Sequence, residues 1–577
     1  MKYTLLFFWC ILYSAVYGQV NLAADTILYT EKTGGAIDTF DVAHTFKPTT
    51  FDGGRELSGV RAFSVNQLFQ DYSGYRLNQT AASHPLRYSS LPHLGFLYSF
   101  GSQGTQFLHL KFTQAFTPNF LFNLTYNRRT GTGFLRNSVF TGDNVNVKLQ
   151  RIGQRYSMTI SGAYQSYQVD HPNGVTTDSL IIPFGLEFSP VLRTANSETK
   201  MGSLEWQNFL NFTNDSLNHF GLVSKHRYSI LNRKYFEFDA GNLPDYNLYN
   251  YDSTNTQDSW NNPSIENGAG VYFLNRKTNF YIDGTLNHRY WNSWDIENFR
   301  DTNEIHLNSE LRFEWKGIAL KNALNFNLIG GFNGWKESAS ARYQAKSLTI
   351  SGSLLLASIP ADPIQRFYYG NNYNYQLNTI NRQVWLKIGG DIQYQLIDSL
   401  LNIETNVQHF SIPSAYTFNG IDWQLNDSLG SASSLGLKAH LSLGAFNWIP
   451  QVILTSDKNN FIPTFQAYSR IYMKGRLFKA KKLQATIGID ASYQNGYQLR
   501  AYIPSIDAFY WGGTNNVSNP GQVNFDFFAS LGIEQFRFYA RFENIGYFWT
   551  DRTLLEAIGY PIAGTRVRVG ITWDFFN

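Results

Sequence analysis

The 577-residue chain has one cysteine, Cys10. It sits inside the apolar stretch Tyr3 to Ala15, so a chain trimmed behind that stretch has no disulfide and no thiol chemistry. Charged residues are also scarce, 16% against a usual share of about a quarter. Proline is held to 17. Beyond the leader no run of 18 apolar residues occurs, which leaves no transmembrane helix. The net charge of +4 is small and scattered, so no nucleic-acid partner is expected. The 11 histidines include no His-Glu-x-x-His and no close ligand cluster. Gly101-Ser102-Gln103-Gly104 lacks the lysine and helix of a phosphate loop, and no Gly-x-Ser-x-Gly elbow is present. No catalysis, cofactor or metal is expected.

Aromatic residues, by contrast, make up 16%, with 36 tyrosines, and glycine numbers 46. A disordered chain would have few aromatics. A sheet with an apolar, aromatic outside and a polar inside accounts for the mixture.

The N-terminus reads as a signal peptide over residues 1–18. Met1-Lys2 gives the positive start, Tyr3 to Ala15 the apolar run, and Val16-Tyr17-Gly18 the cut before Gln19. A lipidated cysteine would sit at the cut, and Cys10 does not. This leader predicts export to the periplasm and insertion into the bacterial outer membrane. Residues 19–91 have weak patterning and read as an irregular arm, either periplasmic or threaded into a lumen; a partly ordered tail reads equally well.

From residue 92 to 577 a two-residue period persists. Ile305, Leu307, Leu311, Phe313 and Trp315 alternate with His306, Asn308, Arg312 and Glu314. Leu483 to Ala491, Val523 to Ile533 and Val567 to Phe575 repeat the alternation. Successive side chains of a strand point to opposite faces, so each segment has one apolar and one polar face. The segments run about ten residues, enough to cross hydrocarbon at a tilt. Tight connections at Gly317-Ile318-Ala319, Asp398-Ser399 and Glu534-Gln535 alternate with long loops at Leu243 to Pro263, Ser414 to Ser431, Gln494 to Pro520 and Ile545 to Gly564. An outer-membrane barrel keeps short turns on one side and long loops on the other. Unpaired backbone in lipid costs several kcal/mol per group, so the sheet must close. The prediction is an all-β, transmembrane, antiparallel up-and-down barrel of about 20 strands, range 16 to 22.

The C-terminal residues then become specific. Tyr560-Pro561, Gly564, Arg568, Gly570, Trp573 and Phe575-Phe576 resemble the tail of the putative porin family of Bacteroidota outer membranes. Val523 to Asn544, the stretch Gly488 to Tyr510 and the run from Pro360 to Tyr373 resemble that family too. Thr565 departs from the arginine of the family pattern. The resemblance implies an outer-membrane barrel, surrounded by outer-membrane lipid, and gives little about cargo. A polar lumen and the charged patch near the C-terminus motivate the first functional reading, a porin-like channel for small polar solutes, passive or weakly selective. The C-terminal strand is expected to engage the barrel-assembly machinery. The sequence does not fix the oligomeric state; a homo-oligomer, a trimer, is suggested by analogy with porins alone.

The last strands carry the densest polar face. Arg537, Arg541, Glu543, Arg566, Arg568 and Asp574 should point inward, with Asp526 and Glu534 one strand away. They read either as a pore-lining set that steers solutes by a transverse field, or as a structural ladder of ion pairs. Tyr510-Trp511 and Tyr547-Phe548-Trp549 read as an interfacial girdle rather than a stacking platform. His171 with Asp170 and His219 with Asp215 read as polar loop residues. A second functional reading is a barrel scaffold or receptor partnering a secretion or uptake assembly, on account of the long aromatic loops. The face assignment predicts that Ile571→Arg blocks assembly while Thr572→Arg is tolerated.

Overall fold

The computed structural model describes Thr26–Leu28 and residues 86–577, apart from 176–193, 214, 216, 239–249, 298, 331–333, 378–381, 398–399, 427–429, 458–459, 461, 481, 511–516, 550–553 and 577. The predicted leader and most of the predicted arm therefore lie outside the described residues.

One closed antiparallel barrel of 22 strands dominates. In chain order these are β1 (His93–Gly101), β2 (Gln106–Thr117), β3 (Phe120–Gly131), β4 (Phe140–Arg151), β5 (Tyr156–Asp170), β6 (Asn196–Asn211), β7 (Asn218–Glu237) and β8 (Thr256–Asn275). They continue as β9 (Phe280–Trp294), β10 (Phe299–Trp315), β11 (Ile318–Gly330), β12 (Trp335–Gln344), β13 (Leu348–Pro360), β14 (Arg382–Ile397) and β15 (Leu401–Phe418). The last are β16 (Gly430–Leu443), β17 (Phe446–Asp457), β18 (Phe465–Leu477), β19 (Leu483–Gln498), β20 (Ser518–Ile533), β21 (Phe536–Glu543) and β22 (Arg566–Phe576). β22 pairs back onto β1, with Phe575 opposite Leu94 and Val569 opposite Phe100. No barrel edge is left to meet lipid. The count stands at the top of the expected range. Strands such as β12, whose outward residues run Trp335, Glu337, Ala339, Ala341, Tyr343, give only a weak apolar signal.

The alternation holds at the C-terminus. Val567 and Trp573 are exposed on the outside, whereas Arg568, Thr572 and Asp574 are buried inside. The strands run from 8 residues in β21 to 20 in β7 and β8, so several project well beyond the hydrocarbon. Connections segregate as predicted. All even-to-odd turns are short, including Lys316-Gly317, whose φ values of 45° and 83° make a two-residue hairpin turn. The long connections, 171–195, 238–255, 361–381, 499–517 and 544–565, lie at the other end. β1 starts and β22 stops at the short-turn end, with His93 opposite Phe576. The chain reaches β1 along that rim, where the Ser89 carbonyl accepts from Ala115 N at 2.7 Å and Leu86–Tyr88 pairs in parallel with Thr26–Leu28.

The aromatic girdle differs from expectation. Phe116 with Phe120, Phe212 with Phe220, Phe273 with Phe280, and Phe536 with Trp573 and Phe575 ring the short-turn rim as outward contacts. Tyr547 is instead buried beside Leu554 and Ile562 under the β21–β22 loop, and Trp549 stands exposed in that loop. Loop aromatics are hard to place from sequence because nothing local tells inward folding from a headgroup position.

Candidate functional site

The inward face of β18–β22 gathers most of the predicted charges. Arg541, fully buried, donates through Nη2 to Asp526 Oδ2 at 2.9 Å and Asp490 Oδ2 at 3.0 Å. Glu543 Oε2 accepts from Arg568 Nη2 at 3.1 Å and lies 3.6 Å from Arg566 Nε. Asp490 also accepts from Arg470 Nε at 2.8 Å. Phe528 lies between the cations, with Arg470 5.4 Å and Arg541 5.7 Å from its ring centre. The ring fits because Gly488 faces it across the register, where a Cβ would come within 2.5 Å of Phe528 Cζ. Asp574 Oδ1 stands 3.2 Å from His93 Nε2 across the closing seam.

Two predicted members fall elsewhere. Arg537 is half-buried opposite Thr572, and Glu534 is exposed in the β20–β21 turn with φ of 50°. Arg470, Asp490 and His93 were not singled out from the sequence. All three have inward parity, so a parity list of charges would have found them. Buried, mutually paired charges on one wall form a cross-strand ladder that stiffens it.

The other feature is the long-loop end, which sequence reading left open. Residues 499–510, which follow β19, cross the bore. The carbonyls of Pro504 and Ser505 accept from both terminal nitrogens of Arg233 on β7, the Ser505 bond being 2.7 Å. Residues 361–377, which follow β13, fold inward against β8. Asp258, almost wholly buried, accepts from Tyr251 Oη at 2.6 Å, Asn371 N at 2.8 Å and Tyr368 Oη at 3.0 Å. Burial first, and the Asp258 carboxylate second, push the Tyr368 hydroxyl well above its ordinary pKa, so it stays a donor. The Asn371 carboxamide donates to the carbonyls of Asp252 and Asn255, joining residues 361–377 to 250–255. Trp260, Ile364, Tyr368, Tyr375, Tyr416, Phe418, Trp423, Ile503 and Ile506 pack into one apolar cluster drawn from strands and three loops. A second cluster joins Leu135, Val175, Tyr502, Ala557 and Tyr560. Of the predicted polar loop histidines, His171 belongs here: it is buried, 2.7 Å from Ser197 Oγ, with its ring near Tyr502. His219 is buried at the short-turn end of β7 against Asn211, and Asp215 is an exposed turn acceptor for Leu217 N.

Below the loops, toward the short turns, the bore holds a cavity of about 660 Å³ along β4–β14. Lys148, Arg276, Arg312, Lys321, Arg342 and Asp391 are among the residues that line it. Glu310 on the same wall is 2.6 Å from Arg312 Nε and 3.5 Å from Lys321 Nζ. Among the described residues no group of three or more His, Cys, Asp or Glu side chains is placed to hold a metal ion.

The family model described as putative porin matches residues 88–577. The chain belongs to the putative porin family. No curated protein matches the sequence. Solved structures similar in fold include the pyoverdine outer-membrane receptor FpvA from Pseudomonas aeruginosa, at 13% identity and TM-score 0.56, covering 85% of this chain and 80% of that one. The FrpB iron transporter from Neisseria meningitidis gives 11% and 0.54, over 84% of this chain and 83% of its own. BauA, the ferric preacinetobactin receptor from Acinetobacter baumannii, gives 11% and 0.54, over 85% and 80%. At such identities the likeness is one of fold. The family and the barrel fold support an outer-membrane location for this porin-family chain.

Proposed function

We propose that the chain is an outer-membrane channel for small polar solutes whose outer mouth is held shut by its own loops. The carrying observation is the bore: a cavity lined in part by charged side chains, below a loop tied from wall to wall. A polar lumen gives hydrated solutes a path that lipid denies them. Diffusion then depends on displacement of loop 499–517, so the channel is gated rather than permanently open. The long loops face outward, the leader directs export, and the C-terminal strand engages the barrel-assembly machinery. The channel binds and conducts without catalysing a reaction.

A second reading, a receptor or scaffold, draws on the same closure and on the fold shared with ferric siderophore receptors. Planar-bilayer recording separates the two. Purified chain should give rare stepwise openings, and replacing loop 499–517 by a short turn should make them frequent. A folded barrel that stays silent in both forms sinks the channel reading and favours the receptor.

A further inference from the structure

The outward face of β7–β12 carries polar side chains at lipid-facing positions, as His409 and Ser433 do on β15 and β16. His226, Asn267 and His288 stand opposite one another in register on β7, β8 and β9. His226 Nδ1 is 2.9 Å from Asn267 Oδ1. Exposed apolar side chains flank the row along the same strands: Leu222 and Ile230 on β7, Val271 and Ile265 on β8. The row therefore lies within the lipid belt and not above it. Three strands on from His288, β12 turns Glu337 outward between Trp335 and Ala339, with Asn322 Nδ2 on β11 donating to its Oε1 at 2.9 Å. Beside the row the surface is hollow. Ser224, Ala269 and Gly284 are small, and a Cβ on Gly284 would meet nothing within 4 Å.

Hydrocarbon solvates neither imidazole nor carboxamide, and a lipid-facing carboxylate is strongly disfavoured. Transmembrane helices associate through polar side chains set beside small ones, and the same pairing of chemistry and shape is available on this wall. We infer that the outward face of β7–β12 is an interface between two copies of this chain. A two-fold axis along the membrane normal presents each row to its mate at the same depth. An unrelated partner would have to match that depth pattern with its own sequence. With the axis over β10–β11, the histidine side of one copy faces the Glu337 side of the other, so imidazole N–H groups meet carboxylate and carboxamide oxygens. Leu307, Leu320 and Phe326, exposed at 39%, 41% and 42%, form the apolar floor between them. The inference rests on the outer-membrane barrel, not on conduction, so it survives or fails independently of channel activity.

Disulfide trapping in intact outer membranes tests it. Leu307→Cys, close to the axis, should shift most of the folded chain to a band of two chains under mild oxidation. Phe538→Cys, on the opposite wall, should not. Purified Glu337→Leu/His288→Leu should run as a monomer in mild detergent while keeping the heat-dependent gel shift of a folded barrel. A three-chain band, a Leu307→Cys adduct with a different protein, no adduct from a folded barrel, or a dimer indifferent to the double substitution each overturns the two-fold interface. If the double variant fails to fold, the cysteine trap alone decides.

Discussion

Arg233 on β7 donates through Nη1 to the carbonyl of Ser505 at 2.7 Å, although Ser505 belongs to the loop that follows β19, on the far side of a ring of 22 strands. A single guanidinium thus ties a loop from one wall to the opposite wall. The guanidinium is buried and fork-shaped, and the adjacent Pro504 carbonyl takes its second terminal nitrogen.

Removing that tie should loosen the mouth. Hydrogen bonds to a charged donor contribute about 1.5–3 kcal/mol each, and about 1.4 kcal/mol is tenfold in an equilibrium. Arg233→Ala is expected to raise the frequency of open events in planar bilayers by tenfold or more. Unchanged gating would mean that loop 499–517 is not the barrier.

Asp258 is the corresponding anchor for loop 361–381. Asp258→Ala leaves the hydroxyls of Tyr251 and Tyr368 and the amide of Asn371 without their acceptor. Each buried orphan costs about 1–3 kcal/mol, enough to release the loop without unfolding the strands. Protease added to whole cells should then cut within 361–381 much faster than in the parent chain. Equal cutting rates would show that the apolar cluster holds the loop without Asp258.

The strands were legible in the sequence because a period of two is a local signal. Val567 to Phe575 could be assigned inside and outside residue by residue, and the structure keeps that assignment. Loop-length alternation was equally readable, since it needs only strand ends. The crossing loops were not, because Arg233 and Ser505 lie far apart in sequence and nothing near either names the other. Crowding was also invisible. Thr572 does point inward, but it is 3% exposed, opposite Arg537 and Leu97, so the wall has no room there for the arginine the sequence suggested it would tolerate. The charged C-terminal face was legible as a set, but its pairing into a ladder needed β18 and β19, which lie well upstream.

That ladder should dominate barrel stability. Arg541→Met leaves Asp490 and Asp526 buried without the guanidinium they share, at a cost of about 3–5 kcal/mol. Asp490 keeps Arg470, so Asp526 is the carboxylate left stranded. Adding Asp526→Asn removes that charge and should recover part of the loss, because contacting sites are not additive. Urea midpoints of the folded band report both. If the double variant is as weak as the single one, the arginine's packing against Phe528 matters more than its charge.

The inside–outside assignment is best tested on neighbours in one strand with room on both sides. On β13, Ser353 faces the bore and is exposed there, while Leu354 faces outward beside Ala339 and Ile388. Arginine on the lipid face near mid-membrane costs about 2–4 kcal/mol, whereas on a watery bore it is solvated. Leu354→Arg should therefore sharply reduce the folded, heat-shifted form in outer membranes, and Ser353→Arg should leave it near the parent level. The two side chains share a strand, a depth and a propensity for extended backbone, so only the medium each one meets can separate them. Equal assembly of the two variants would contradict a wall with oil on one face and water on the other.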